Sequence, residues 1–309
     1  MDYNQALKDE ILQYIYDKSP TQKKRLLKVL SENPEMSEEL ELFLVTYSIF
    51  MENSGLTYKD ICDAYLLMIS QVIHSRIYFL RTGLYPAMQY KDEIITNIYD
   101  NEKVMTSYML GLALSQFLWE HHFEVFKFYR DTINKLTYKT NVIEIGPGHG
   151  VFLLELLKTI DNNTKIDCID ISMTSLNISK KLISAIRPDI FSRIRFIQGD
   201  INLFNEDKTY DFITLGEVLE HVDDPLKILS NINRILDKNG TFFLTTCIDC
   251  PMIDHIYHFS SVTEIEELIA EAGFKITDKI TVTTENMDKD KQKKYKPDVK
   301  YAAVLNKAN

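Results

Sequence analysis

Over the first 138 residues, apolar side chains recur at the three-to-four-residue interval of helices, and the pattern predicts helix almost throughout. The predicted segments are Asn4–Asp17, Thr21–Leu30, Ser37–Met51, Tyr58–Arg81, Glu93–Asp100 and Lys103–Leu136. Between them stand Ser19-Pro20, Asn33-Pro34, Asn53-Ser54-Gly55, Gly83 and Pro86, residues that stop helices or start them. Val104–Tyr129 is apolar nearly all round, which predicts one long, buried central helix. From Asn141 onward the period shortens. Strands are predicted over Asn141–Ile145, Lys165–Ile169, Ile194–Gln198, Phe212–Leu215 and Thr241–Thr246, alternating with helices over Val151–Ile160, Thr174–Ile186, Pro225–Leu236 and Thr263–Ala272. Asp224-Pro225 reads as an N-cap with proline behind it, and Ser261-Val-Thr-Glu264 as a capping box. Gly240 and Gly273 stand where helices should stop. Such alternation builds a parallel sheet covered on both faces. The tail, Phe274–Thr284 and Val299–Leu305, predicts a closing hairpin around a charged loop. The chain thus divides into a helical domain, 1–138, and an α/β domain, 139–309, joined by a short connection near Thr137–Asn141.

Composition narrows the class. A 45% hydrophobic, 26% charged chain of 309 residues folds rather than staying disordered. The net charge of −10 disfavours a nucleic-acid partner. No apolar run is long enough for a membrane span, and the most lipid-like stretch, Ile61–Leu80, carries Asp63, His74 and Arg76. The acidic, polar N-terminus shows no secretory signal, so the expectation is a cytoplasmic chain whose four cysteines stay reduced. Cys247 and Cys250 have CxxC spacing, but no thioredoxin-like context surrounds them and only distant histidines could complete a zinc site, so no metal is expected.

Glycine is scarce and concentrated. Of ten, three lie at Gly146, Gly148 and Gly150, in a chain that otherwise avoids them. In VIEIGPGHG, a strand runs through this loop into a helix, the place where doubly wound sheets bind ligands. The spacing is neither the dinucleotide fingerprint nor a P-loop. Glu144 at the strand end would repel a pyrophosphate and favours a ligand with positive charge. Asp170, ending the second strand, can accept from both ribose hydroxyls, and Gly199-Asp200, ending the third, leaves room for a flat ring and an acceptor for its exocyclic amine. A ribose acceptor, an adenine acceptor and an open loop for a short cationic tail describe S-adenosylmethionine.

These signals together resemble the class I SAM-dependent methyltransferases. VIEIGPGHG corresponds to their first motif, Asp170 to their ribose acid, Gly199-Asp200 to their adenine contact and GEVLEHVDDP to their segment after strand four; EELIAEAGF is also familiar from them. The resemblance covers about residues 141–305 and implies a Rossmann-like sheet of seven strands, the last antiparallel, behind an all-α N-terminal domain. It implies S-adenosyl-L-methionine as cofactor, held by Glu144, Gly146, Gly148, Asp170, Ile171, Asp200, Ile201 and Glu217. The plan of a helical domain before the catalytic one is similar to natural-product and peptide-tailoring O-methyltransferases.

Methyl transfer is an in-line displacement, so alignment does most of the work, and a base helps only when the acceptor is a hydroxyl. His221 lies just past strand four, where the resemblance places acceptor and methyl together; it reads as a base or as a packing residue. His255 and His258, with Tyr257 between them, lie in the loop after strand five, which in this family commonly holds the acceptor. Trp119 and His122, on the last long helix before the sheet, read as cavity wall or as packing. Thirteen of seventeen tyrosines lie in residues 1–138, which fits hydroxyls on a cavity wall, helix packing or a homodimer face. The lysines at 289, 291, 293, 294 and 296 read as a solvated hairpin loop. The expected activity is methyl transfer to an oxygen of a small-molecule or peptide acceptor. The rivals are N- or C-methylation and a SAM-binding assembly partner without catalysis of its own.

Overall fold

The computed structural model describes residues 3–137, 139–205, 207–283 and 297–308. The lysine run between Lys289 and Lys296 lies outside the described residues. Six helices come first: α1 (Tyr3–Lys18), α2 (Pro20–Glu32), α3 (Pro34–Asn53), α4 (Tyr58–Thr82), α5 (Glu102–Leu118) and α6 (Glu120–Lys135). The prolines open two of them as expected. Ser19 and Asn33 cap α2 and α3 by accepting from the N–H groups of Gln22 and Met36. Gly83, at φ 76°, ends α4.

Two predictions for this half need correction. The segment 93–100 is not an α-helix but a 3₁₀ turn, Lys91–Glu93, followed by a π turn, Ile95–Tyr99. The long helix over Lys103–Leu136 is two helices, broken where Trp119 turns extended (φ −116°, ψ 121°). The break leaves no glycine or proline to read. It is held by the fold, through the indole N–H donating to the Tyr65 hydroxyl at 3.1 Å.

The second half runs β1 (Asn141–Ile145), α7 (Val151–Leu156), β2 (Lys165–Asp170), α8 (Met173–Ile186), α9 (Pro188–Phe191), β3 (Ile194–Gln198), β4 (Tyr210–Gly216), α10 (Pro225–Ile235), β5 (Leu236–Ile248), α11 (Val262–Glu271), β6 (Phe274–Thr283) and β7 (Val299–Lys307). The seven strands form one Rossmann-like sheet in the order β3-β2-β1-β4-β5-β7-β6. All pairs are parallel except those of β7, which is antiparallel to both neighbours. The order reverses between β1 and β4, and this switch point positions the site. Helix α7 stops at Leu156, short of the expected Ile160. Gly240 ends no helix: α10 closes at Ile235, and Gly240 lies within β5, where an added Cβ would stand 2.9 Å from the Tyr210 carbonyl oxygen. Gly273, at φ 82°, does follow a helix end.

Two apolar cores cover the sheet. One, with α10 and α11, gathers Ile228, Leu229, Ile232, Ile265 and Ile269 against Ile143, Ile213, Phe242 and Leu244. The other is shared between the early helices and the opposite face, running from Ile11 and Leu26 through Phe117 and Tyr129 to Leu153, Phe212 and Phe243. Tyr129 is the joint: its ring stacks on Phe152 at 4.6 Å and meets Phe243 edge-on at 4.9 Å. Among the described residues no helix is long and apolar enough to cross a membrane.

Candidate active site

The loop after β1 bends through three residues with left-handed backbone: Gly146 (φ 68°), Gly148 (φ 52°) and Gly150 (φ 75°). A side chain at Gly146 would strike Val218 at 2.7 Å, and one at Gly148 would press on the Met109 sulfur at 3.3 Å. The loop therefore brings bare backbone to a cavity of about 230 Å³ at the switch point. Its conformation is pinned by the Gly146 N–H donating to the Ile169 carbonyl (2.8 Å) and by Ser179 Oγ donating to the Gly148 carbonyl (3.0 Å).

Twelve of the fourteen residues singled out from the sequence line this one cavity: Glu144, Gly146, Gly148, Asp170, Ile171, Asp200, Ile201, Glu217, His221, His255, Trp119 and His122. Tyr257 and His258 do not. The N–H groups of Ile256 and Tyr257 both donate to the Glu220 carbonyl (2.9 and 3.0 Å), which fixes the loop just past His255. Tyr257 packs on Phe259 (4.6 Å), and His258 pairs with Asp249 (2.7 Å) under the rings of Phe79 and Tyr85.

At one end, the strand termini present carboxylates. Asp170 accepts from the Ser172 N–H (2.8 Å) and from Ser175 Oγ (2.6 Å). Burial raises its pKa, while Ser175, Ser172 and the Gly148 N–H oppose the rise. Asp200 caps the turn after β3 by accepting from the Asn202 N–H at 2.8 Å. Glu144 is deeper. Burial pushes it up to about 8, with only the Leu153 N–H pulling back, and its Oε2 has no partner among the described residues. Glu217 sits in the left-handed region (φ 53°), unusual for a side-chain residue, held by its N–H on Thr245 and its carboxylate on Lys300. Burial keeps the flanking imidazoles neutral, His149 at about 4 and His121 at about 3, with His122 well below its ordinary value. Lys300 is the one lysine or arginine on this wall among the described residues, and Glu217 neutralises it. A buried carboxyl oxygen without a partner among the described residues, the strand-end carboxylates of Asp170 and Asp200 and the neutral imidazoles of His121, His122 and His149 fit a hydroxyl-bearing ligand with an amine, such as S-adenosylmethionine.

The other end is a polar cluster in an apolar wall. Asp254, 2% exposed, accepts from Tyr108 OH at 3.2 Å, with Tyr99 OH at 3.5 Å. His221 Nδ1 lies 3.2 Å from the Asp254 carbonyl oxygen and 3.4 Å from its carboxylate. The His221 ring meets Tyr99 and His255 edge-on at 6.4 and 4.7 Å. An imidazole whose Nδ1 proton faces a carboxylate presents a basic Nε2. Sequence reasoning singled out Asp254 only as the aspartate of the His255–His258 loop, and Tyr99, Tyr108 and Lys300 not at all. The tyrosine enrichment of the first 138 residues signalled wall hydroxyls without saying which; for Lys300, on the last strand, there was no signal.

Comparison with known proteins agrees with this geometry. A family model described as a methyltransferase domain matches residues 119–279. The malonyl-[acyl-carrier protein] O-methyltransferase 1 of Ilyobacter polytropus is 28% identical over 106 residues, 34% of this chain and 37% of its own length. The ubiquinone biosynthesis O-methyltransferase of Pasteurella multocida is 33% identical over 121 residues, 37% of this chain and 48% of its own. The chain thus spans less than half the length of these curated relatives. Among solved structures, the mitomycin 7-O-methyltransferase superposes with a TM-score of 0.56 at 10% identity, over 77% of this chain and 68% of its own, a likeness of fold.

Proposed function

Since the chain belongs to the methyltransferase-domain family, we propose that it transfers the methyl group of S-adenosyl-L-methionine to an oxygen of a small acceptor. The bound cofactor supplies an electrophilic methyl on a sulfonium. The chain's part is to hold that methyl in line and to receive a proton. In this reading Asp170 accepts from the ribose hydroxyls and Asp200 from the adenine amine, Glu144, raised to about 8 by burial, offers its unpartnered Oε2 as a hydrogen-bonding group, and Glu217, paired with Lys300, walls the pocket. Ile171 and Ile201, which follow the two aspartates, cover the adenosine. Trp119 and His122 close the apolar wall, and residues 1–138 cover the acceptor.

The observation that carries the reading is continuity: one cavity joins the glycine loop and strand-end carboxylates to His221, backed by Asp254. An acceptor hydroxyl at the mouth would give its proton to His221 Nε2 as the oxygen takes the methyl. Oxygen is favoured over nitrogen or carbon because this base is oriented by a carboxylate, and both curated relatives described above are O-methyltransferases by name. The test is labelled-methyl transfer from S-adenosylmethionine to a panel of catechols, other phenols, carboxylic acids and amines. Methyl ethers or esters are expected; methylated amines alone would overturn the oxygen assignment. Calorimetry showing NAD bound and S-adenosylmethionine ignored would overturn the cofactor end.

A further inference from the structure

Strand β5 runs out in Cys247-Ile248-Asp249-Cys250, with both sulfurs buried. Sequence spacing left this pair without further ligands, but the fold brings two. The loop behind it returns His255, whose Nδ1 stands 3.7 Å from Cys247 Sγ. The turn after β4 brings Glu220 Oε1 to the same sulfur, also at 3.7 Å. The donor atoms of Cys247, Cys250 and His255 lie within 4.8 Å of one another. Bonds of about 2.3 Å to sulfur and about 2.0–2.1 Å to nitrogen or oxygen, set tetrahedrally around one ion, hold the donor atoms roughly 3.3–3.8 Å apart. The two 3.7 Å separations, now hydrogen bonds of the Cys247 sulfur, fall inside that window, so a metal could replace the thiol proton with little movement.

The surroundings match the same assignment. All four side chains are at most 5% exposed, and Cys250 and His255 also border the cavity. Glu220 divides its oxygens: Oε2 accepts from Thr246 Oγ1 at 2.8 Å, which orients the carboxylate and leaves Oε1 toward the sulfurs. Two thiolates and a carboxylate sum to three negative charges. A divalent cation removes two of them and leaves one, the Lys300 ammonium nearby being already paired with Glu217. His255 Nδ1 now contacts the Cys250 carbonyl at 2.6 Å; metal binding would exchange that contact for a metal bond, with protons released from the thiols and the ring.

We propose that Cys247, Cys250 and His255 hold a Zn²⁺ ion, with Glu220, whose Oε1 lies 3.7 Å from Cys247 Sγ, as the nearest further donor, so that the ion staples the loop after β5 to the turn after β4. The position gives the staple a purpose. Glu220 directly precedes His221 in the chain, and His255 directly follows Asp254, so one ion fixes both halves of the His221–Asp254 contact from behind. The four are positioning residues in this assignment, and the ion touches neither methyl nor acceptor.

The experiment is a Co²⁺ titration of the reduced, chelator-stripped whole chain. One equivalent of cobalt should bind, with thiolate-to-cobalt charge-transfer absorption and the intense ligand-field bands of tetrahedral cobalt, all abolished by one equivalent of Zn²⁺. Cys247→Ser and Cys250→Ser should each weaken binding by at least about a hundredfold, since loss of even an outer partner costs about 10–100-fold. Cys62→Ser and Cys168→Ser should leave it unchanged. If the first two variants fail to fold, the wild-type spectrum decides alone. A featureless titration overturns the site. So does a reduced chain that binds no cobalt but forms a Cys247–Cys250 disulfide in air, which would assign the pair to redox chemistry instead.

Discussion

The two ends of the cavity are built in different ways. At the loop end, the determinants are backbone and strand termini: three left-handed glycines and two aspartates, each placed by the strand immediately before it. At the His221 end, a carboxylate from the loop after β5 gathers a tyrosine from a π turn, a tyrosine from α5 and an imidazole from the turn after β4. The first end follows from local geometry that any sheet of this winding repeats. The second exists only when residues more than a hundred positions apart meet. The first can therefore bind an invariant ligand while the second changes with the acceptor.

Substitutions at the two ends should separate accordingly. The largest effect belongs to His221→Ala: turnover on the best phenol of the acceptor panel should fall by about 10²–10⁴-fold with S-adenosylmethionine affinity unchanged. Equal loss of both would merge the two ends into one. Next, Asp170→Ala should weaken S-adenosylmethionine binding about tenfold or more in calorimetry, because hydrogen bonds to a charged group contribute about 1.5–3 kcal/mol and about 1.4 kcal/mol is tenfold. An unchanged dissociation constant in a folded variant would remove the ribose assignment.

Smaller effects test the electrostatics. Glu144 is raised from its ordinary 4.5 to about 8, so the folded chain holds this proton more tightly than the unfolded one. Stability contributed by the protonated form is then present below about pH 4.5 and lost as pH climbs toward 8. Glu144→Gln removes that loss, so its melting temperature should exceed the wild type's by a few degrees at pH 8.5, with the gap closing at pH 4.5. A gap independent of pH would show that packing, not ionisation, governs the position. The smallest effect is expected at Tyr108→Phe: Asp254 keeps its other contacts, and turnover should fall by no more than about fivefold, the value of one ordinary hydrogen bond of about 1 kcal/mol.

The same contrast decides what could be read from the chain. Strands β1 and β3 match their predicted bounds because each is a short segment rich in β-branched and aromatic residues, Val142, Ile143 and Ile145 in one and Ile194, Phe196 and Ile197 in the other, ended by loop residues. Asp170 and Asp200 were legible because a strand end fixes where its last side chain goes. Trp119 was not: its extended backbone is stabilised by Tyr65, and nothing near it in sequence breaks a helix. Tyr257 and His258 were expected at the cavity because they neighbour His255. A loop without period gives no rule for which of its side chains face inward, and here the Glu220 carbonyl fixes the loop just past His255. Cys247 and Cys250 were dismissed for want of ligands that only the tertiary fold brings near.

Strand β7 follows every other described strand in the chain yet lies inside the sheet, between β5 and β6. It carries Lys300, whose pairing with Glu217 completes the cavity wall. On a ribosome, where the chain emerges from its N-terminus, β1 to β5 can dock while β7 is still being made. Until it arrives, β5 presents a bare hydrogen-bonding edge from Phe242 to Ile248, the row later paired with Leu305 through Val299. The growing chain can thus have its glycine loop in place before it has a finished wall, and in that interval β5 is open to adhesion with any passing strand. The strand that joins β6 to the rest of the sheet is thus the last of the described strands to be made, and its insertion is what covers that edge.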